Sequence, residues 1–444
     1  MTHLNRTSSL LFTACLSILP LGNALADDQG PPLGDLVEQE VESRYWFVSP
    51  SGSDFLWGTK RAPFRTIGRA FAAARDGDTI RLLPGTHRLS AEVSLSGKAV
   101  HFLGDLDADG APASILSGDR DGDGAPDVSL IRAKDISSSN WGFRNLEFRD
   151  GEEWGLSLEN TEPYIDNCRF AHNDTGLVTD AAAAEVTECT FVENQYGCFD
   201  TSGPRNVSFT DCTFRANSWG IAGDHLDLRD SSFSGHAQMA VSCLGRSAIS
   251  YCTFQDNNED MYVSASDHSM KISRCRFKGG SASASALSLD SYRQMISVSN
   301  CLFTGYSDIA ISANGCDVFI DECVIRDNPG NGLHLSDGVV ITDSTIESNG
   351  GYGIYGGMYW YDTPYSCVID GCLIRDNGHH GVWDFEGNWD DEGSFDGVSI
   401  RNSTLCGNGT WNVYDSYAGK GWNRVTRRIP HWDDGGNVLR LRCR

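Results

Sequence analysis

One short pattern, apolar-x-x-Cys/Ser-x-Phe/Ile, recurs from the first third of the chain to its end and restricts what the sequence can fold into. It reads Ile165-Asp-Asn-Cys168-Arg-Phe170, Val186-Thr-Glu-Cys189-Thr-Phe191, Ile272-Ser-Arg-Cys275-Arg-Phe277 and Ile369-Asp-Gly-Cys372-Leu-Ile374. The closing anchors are Phe148, Phe170, Phe191, Phe214, Phe233, Phe254, Phe277, Phe303, Ile325, Ile346, Ile374 and Leu405, at separations of 19 to 31 residues. A unit this short buries its apolar side only against copies of itself, so the pattern predicts one solenoid of about twelve coils.

Inside a unit the apolar period is two, which is the period of a strand. Val318, Ile320, Cys323 and Ile325 are apolar with polar residues between them, and the three-residue step from Ile320 to Cys323 marks a tight turn at Asp321-Glu322. Five residues after the Cys/Ser position an Asn recurs, at Asn173, Asn194, Asn217, Asn257, Asn328, Asn349, Asn377 and Asn408. Asn tolerates left-handed backbone and bonds its neighbours in turns, so this position is read as a corner of the coil. A Gly-apolar step then opens the next strand, as at Gly176-Leu177, Gly220-Ile221, Gly353-Ile354 and Gly381-Val382. Helical repeats would need a 3.6-residue period and leucine-rich repeats their own Leu/Asn frame, and neither is present.

Near the N-terminus stand Tyr45-Trp-Phe-Val-Ser-Pro-Ser-Gly-Ser-Asp54, then Gly58-Thr59 and Pro63-Phe64-Arg-Thr-Ile67. With these and the repeat, residues 45–430 resemble the secreted right-handed parallel β-helix proteins of the pectate-lyase-like group. That resemblance implies an all-β, single-stranded solenoid and a role on extracellular polysaccharide. Thr66 to Arg75 reads as a short amphipathic helix with Ile67, Ala70, Phe71 and Ala74 on one face, and such a helix can cap the open first coil. The expected organisation is a leader at 1–26, a flexible segment at 27–44, the cap and first coils at 45–135, repeats at 136–430 and a C-terminal cap or tail at 431–444.

The repeat frame assigns most of the 15 cysteines. Cys168, Cys189, Cys212, Cys252, Cys275, Cys301, Cys323 and Cys372 share one inward position, filled by Ser231, Ser344 and Ser403 in other coils. Side chains on in-register rungs point the same way, which opposes bridging between neighbours, and a reduced structural ladder is expected. Cys406 and Cys443 lie outside that ladder, and a disulfide between them is a hypothesis.

A short basic start ending at Arg6, the apolar run Ser9–Leu19 and the small-residue site Ala24-Leu25-Ala26 read as a secretory leader cleaved after Ala26. The expected product is an exported, secreted or periplasmic monomer without membrane insertion. A net charge of −25 disfavours nucleic acid and anionic membranes as partners.

Two groups of residues carry candidate chemistry. Asp119-Arg-Asp121-Gly-Asp123-Gly124-Ala-Pro-Asp127 and the preceding Asp105-Leu-Asp107-Ala-Asp109-Gly110 alternate carboxylates as calcium loops do, without the Glu that closes an EF-hand. Structural calcium and a solvated acidic turn are both open readings there. The second group lies on the late coils. Right after the Gly-apolar step the early coils place Val178, Phe199 and Ala222, whereas the late coils place His334, Tyr355 and Trp383.

The same late coils carry two long excursions, one with Tyr359, Trp360 and Tyr361, the other with Trp389, Asp390 and Asp391. Aromatic rings suit sugar faces and carboxylates suit hydroxyls, so this face is the expected polysaccharide groove, with Trp383 and the excursion residues as its contacts. His334 and Tyr355 could serve as the base of a lyase. Asp384, Glu386, Asp390 and Asp391 could serve a hydrolase, which needs a pair of carboxylates. The Asp-Pro-His motif of alginate epimerases is absent, since no Pro follows an Asp. A non-catalytic β-helix that binds glycan or acts as a surface protein is the other class the sequence allows.

Overall fold

The computed structural model describes residues 44 to 443 apart from 202–205, 266–268, 292–294, 316, 336–337, 358–366, 386–397, 416–419, 423–432 and 441. The predicted leader lies outside the described residues. So do most of the two late excursions, with Tyr359, Trp360, Tyr361, Glu386, Trp389, Asp390 and Asp391.

Among the described residues three sheets of 16, 15 and 15 strands run from residue 45 onward, parallel throughout except where Lys420–Trp422 pairs antiparallel with Val413–Asp415, forming a right-handed parallel β-helix. Each coil visits them in turn, for instance through Tyr164–Asp166 in the first sheet, Arg169–Ala171 in the second and Thr175–Asp180 in the third. All twelve anchors lie on successive strands of the second sheet, which continues two strands before them and one after. Parallel pairing keeps the anchors in register. From Phe148 to Phe303 their rings therefore stack at 4.5–4.9 Å, within 2–8° of parallel.

The first corner turns on one left-handed residue, such as Asn167, Glu188 or Glu322, placed just before the Cys/Ser position. The eight predicted ladder cysteines are free and buried. Their thiols donate to a carbonyl two residues back, as Cys189 does to Thr187 at 3.1 Å and Cys301 to Ser299 at 3.2 Å. Burial raises the pKa of the Cys189 thiol and that of Cys372, the latter to about 12. Where Ser fills the position its hydroxyl makes the same bond, as Ser344 does to Thr342 at 2.7 Å.

The Asn corner differs from expectation in one respect. The left-handed residue is the one before each Asn, namely His172, Glu193, Ala216, Asp256, Asp327, Ser348, Asp376 and Gly407. The Asn itself is buried, and its amide runs along the rod. Asn173 Nδ2 donates to Asn194 Oδ1 at 3.0 Å and Asn194 to Asn217 at 3.0 Å, and the chain resumes through Asn328, Asn349, Asn377 and Asn408 at 2.8–2.9 Å. A buried amide needs every partner, and this side chain reaches both the preceding coil and the next, as Asn173 Nδ2 does to Phe148 O and Asn194 Oδ1.

The predicted cap forms as the helix Ile67–Ala73, with Thr66 as N-cap and Ile67 and Ala70 buried. Beside it Gly58 has φ +72°, and a Cβ there would stand 2.2 Å from the Phe64 ring, so only Gly fits. At the far end Cys406 and Cys443 form a disulfide. Among the described residues no helix is long and apolar enough to cross a membrane.

Candidate functional site

On the third sheet the apolar residue that follows each opening Gly, or the Ala or Asn in its place, points inward, so its successor faces out. Ile311, Leu333, Ile354, Val382 and Val413 are buried, and the residues after them align rung by rung as Ser312, His334, Tyr355, Trp383 and Tyr414. The three residues picked from sequence are therefore successive and partly exposed. His334 and Tyr355 rings lie 4.7 Å apart. Tyr352 from the preceding corner joins them, 4.7 Å from Trp383 and 5.2 Å from His379. His380 stacks on Tyr414 at 4.9 Å and 10°, with Nδ1 2.7 Å from the Thr410 hydroxyl.

Burial lowers the pKa of His334 and of His380, which favours neutral rings at pH 7. Asp384 lies on the strand Val382–Phe385 beside Trp383.

A polar cluster that sequence reading missed continues the face toward the N-terminus. Tyr262, Ser288, Ser312 and His334 align in one column. The Tyr262 hydroxyl donates to Asp290 Oδ2 at 3.1 Å, and Asn314 Nδ2 donates to Asp290 Oδ1 at 3.1 Å. Ser312 Oγ lies 3.4 Å from His334 Nδ1. Burial, then the bond to Asp290, raises the pKa of Tyr262.

The acidic loops separate in behaviour. Carboxylate oxygens of Asp119, Asp121 and Asp127 come within 4.8 Å of one another, a hard-oxygen set suited to calcium. Arg88 pairs with Asp119 at 2.9 Å, and Gly122 N donates to it at 2.6 Å, so part of its charge is already neutralised. Asp123 instead caps the Ala125 amide at 2.8 Å. In the first loop Asp105 pairs with Arg81, and Asp107 accepts from the Asp109 and Ala111 amides at 2.9 Å. That loop is a hydrogen-bonded turn, and its carboxylates, Asp109 included, do not converge among the described residues.

The chain belongs to the right-handed β-helix family: the family model described as "Right handed beta helix region" matches residues 132–235 and 239–418. An uncharacterized protein of Bacillus subtilis, YwoF, is 31% identical over 132 residues, which is 27% of this chain and 26% of that protein. The chain thus aligns with about a quarter of that relative's length.

Among solved structures, a periplasmic alginate epimerase, AlgG, is similar at 9% identity and TM-score 0.43, over 82% of this chain and 77% of that one. The catalytic unit of an α-1,3-glucanase of family GH87 from Streptomyces thermodiastaticus is similar at 11% identity and TM-score 0.39, over 78% and 65%. The fold assignment rests on the family match and on the chain's own three sheets.

Proposed function

We propose that this is an exported, carbohydrate-active β-helix protein that holds an extended polysaccharide against its third sheet. The observation that carries this reading is the unbroken outward column His334–Tyr355–Trp383–Tyr414, flanked by Tyr352 and His380. Neighbouring aromatic rings on successive rungs of one sheet offer apolar surface at sugar-sized spacing and little ordering cost. In this reading Trp383 and the excursion residues Tyr359, Trp360, Tyr361 and Trp389 contact the sugar, and Asp290, Asn314 and Ser312 bond its hydroxyls. Hydrolysis would draw its acid and base from Asp384, Glu386, Asp390 and Asp391.

A second reading, proton abstraction by His334 assisted by Tyr355, is favoured by the neutral imidazole and the Ser312 hydroxyl beside it. Incubation with a polysaccharide panel, following unsaturated products and reducing ends, separates the two. Retention on glycan gels with neither product would reduce the protein to a binder, and no retention at all would remove the proposal.

Calcium at Asp119, Asp121 and Asp127 is part of the reading as a structural ion. Adding it to EDTA-treated protein is expected to raise the Tm, and an unchanged Tm would discard it.

A further inference from the structure

The third sheet carries a second aromatic surface far from His334. Trp154, Thr175, Tyr196 and Trp219 align on successive strands. The Tyr196 and Trp219 rings stack at 6.1 Å and 16°. Phe199 packs edge-on against Tyr196 at 5.5 Å and is 39% exposed. Phe199 also lies on the column that continues through Ala222, Ser242, Tyr262, Ser288 and Ser312 to His334, so one register joins the two aromatic surfaces. Six rungs separate Phe199 from His334, or about 29 Å at roughly 4.8 Å per rung.

Charge narrows what could lie along this track. The twelve third-sheet strands from Trp154–Glu159 to Val413–Asp415 contain no Lys or Arg and eight Asp or Glu, of which Asp200 and Asp260 are buried. The fifteen strands of the second sheet carry nine Lys or Arg against two Asp or Glu, so the chain has cations and places them on another face. On these twelve strands a uronate polymer would press a carboxylate per sugar against acids with no cation on the same strands, whereas hydroxyls meet Ser, Asn and Asp partners. The nearest third-sheet cation toward the N-terminus is Arg132, which lies over Trp154 and pairs with Glu92.

We infer that the third sheet takes one extended neutral polysaccharide chain, seated on two aromatic platforms, Tyr196–Phe199–Trp219 and Tyr355–Trp383–Tyr414, with hydroxyl contacts between them. The inference rests on the polysaccharide reading above and names its substrate class. Two platforms on one rigid sheet bind a long chain better than either alone, because the second contact is intramolecular.

The test titrates purified full-length mature protein, in EDTA so that no divalent cation bridges carboxylates, with neutral glucans, mannans, galactans and xylans and with polygalacturonate and alginate. Each is supplied as polymer and as short oligosaccharide. A neutral polymer is expected to bind at least roughly tenfold tighter than its short oligomer. The double variant Tyr196→Ala/Trp219→Ala is expected to lose that gain and to keep one short-oligomer site per chain instead of two. Phe199→Ser, at an exposed position, serves if the double variant does not fold. Binding of polygalacturonate or alginate alone overturns the neutral class. A neutral polymer whose affinity is untouched by both early-platform variants overturns the second platform and leaves the polysaccharide reading standing. Failure of every polymer to bind removes that reading and the inference together.

Discussion

The late coils and the middle coils solve the same corner differently. From Asn328 to Asn408 each buried amide repeats one set of bonds: Asn349 accepts from Asn328 Nδ2 at 2.8 Å, donates to Asn377 Oδ1 at 2.9 Å and donates to Ile325 O at 3.3 Å. Between Asn217 and Asn328 the ladder breaks. His236 takes one Asn position, with its amide donating to Asn257 Oδ1 at 3.0 Å. Asn257 then donates sideways to Asp260 at 2.8 Å, and buried Tyr306 donates to the other Asp260 oxygen. Tyr306 N restores the frame by donating to Asn328 Oδ1 at 3.1 Å.

The outward network of Tyr262, Asp290 and Asn314 sits on these same coils, and Asp260 and Tyr262 share the strand Glu259–Ala265. Third-sheet strands reach 7 residues here against 3 to 5 in the late coils. A uniform ladder enforces a uniform rung. Relaxing it gives room for a polar network on the outer face.

On this contrast, pH acts on the middle coils most. Burial is the first cause that raises the Asp260 pKa, from 3.8 to about 7, against the lowering bonds from Tyr306 and Asn257. A pKa raised on folding gives stability that is fully present below about pH 4 and is lost as pH rises through about 7. The loss is at most about 4 kcal/mol at roughly 1.4 kcal/mol per pH unit. Denaturation from pH 4 to 8 should show this decline. Asp260→Asn, which can keep both partners, should flatten it, and an unchanged slope would detach the effect from this carboxyl.

In the regular ladder Asn349→Ala removes a side-chain bond from four buried groups, Asn328 N, Asn328 Nδ2, Ile325 O and Asn377 Oδ1, and is expected to cost about 3 kcal/mol. Hydrogen exchange should locate the loss in the coils on either side, and protection lost equally along the whole rod would argue against a local ladder. On the outer face Trp383→Ala is expected to weaken polysaccharide binding by roughly 1–2 kcal/mol with an unchanged Tm. Full retention on affinity gels would move the site elsewhere. The smallest effect belongs to the other corner: Cys275→Ser should change stability by less than about 1 kcal/mol, because Ser231, Ser344 and Ser403 already bond their carbonyls at 2.7–2.8 Å. A larger loss, read by urea denaturation, would give the thiols a role beyond filling space.

The fold was legible because a repeat converts spacing into register. Once Phe170, Phe191 and Phe214 are matched, the stacking of His334, Tyr355 and Trp383 follows without further information. The Asn corner was legible as a corner, but not in which residue turns left-handed, because side-chain hydrogen bonds to the next coil are not local properties. Tyr262, Asp290 and Asn314 escaped notice for a related reason. Their coils open with Asp260-Met261, Ala286-Leu287 and Ala310-Ile311 in place of the Gly-apolar step, so the marker that registers the third sheet fails where the ladder breaks. The second-sheet cations were also hidden. A net charge of −25 averages over a molecule that sorts its charges by face.

The in-register pairing of the third sheet gives the molecule a built-in ruler. Duplicating or deleting a whole coil shifts every later residue by one rung, about 4.8 Å, and leaves each residue on its own face. The interval between two surface features can therefore change only in whole steps, while the chemistry at each feature is preserved. Partial coils have no such freedom, since they would turn inward residues outward. Tandem gain and loss of coils is thus a route by which a chain of this kind can be fitted to partners of different length, with no new fold to invent.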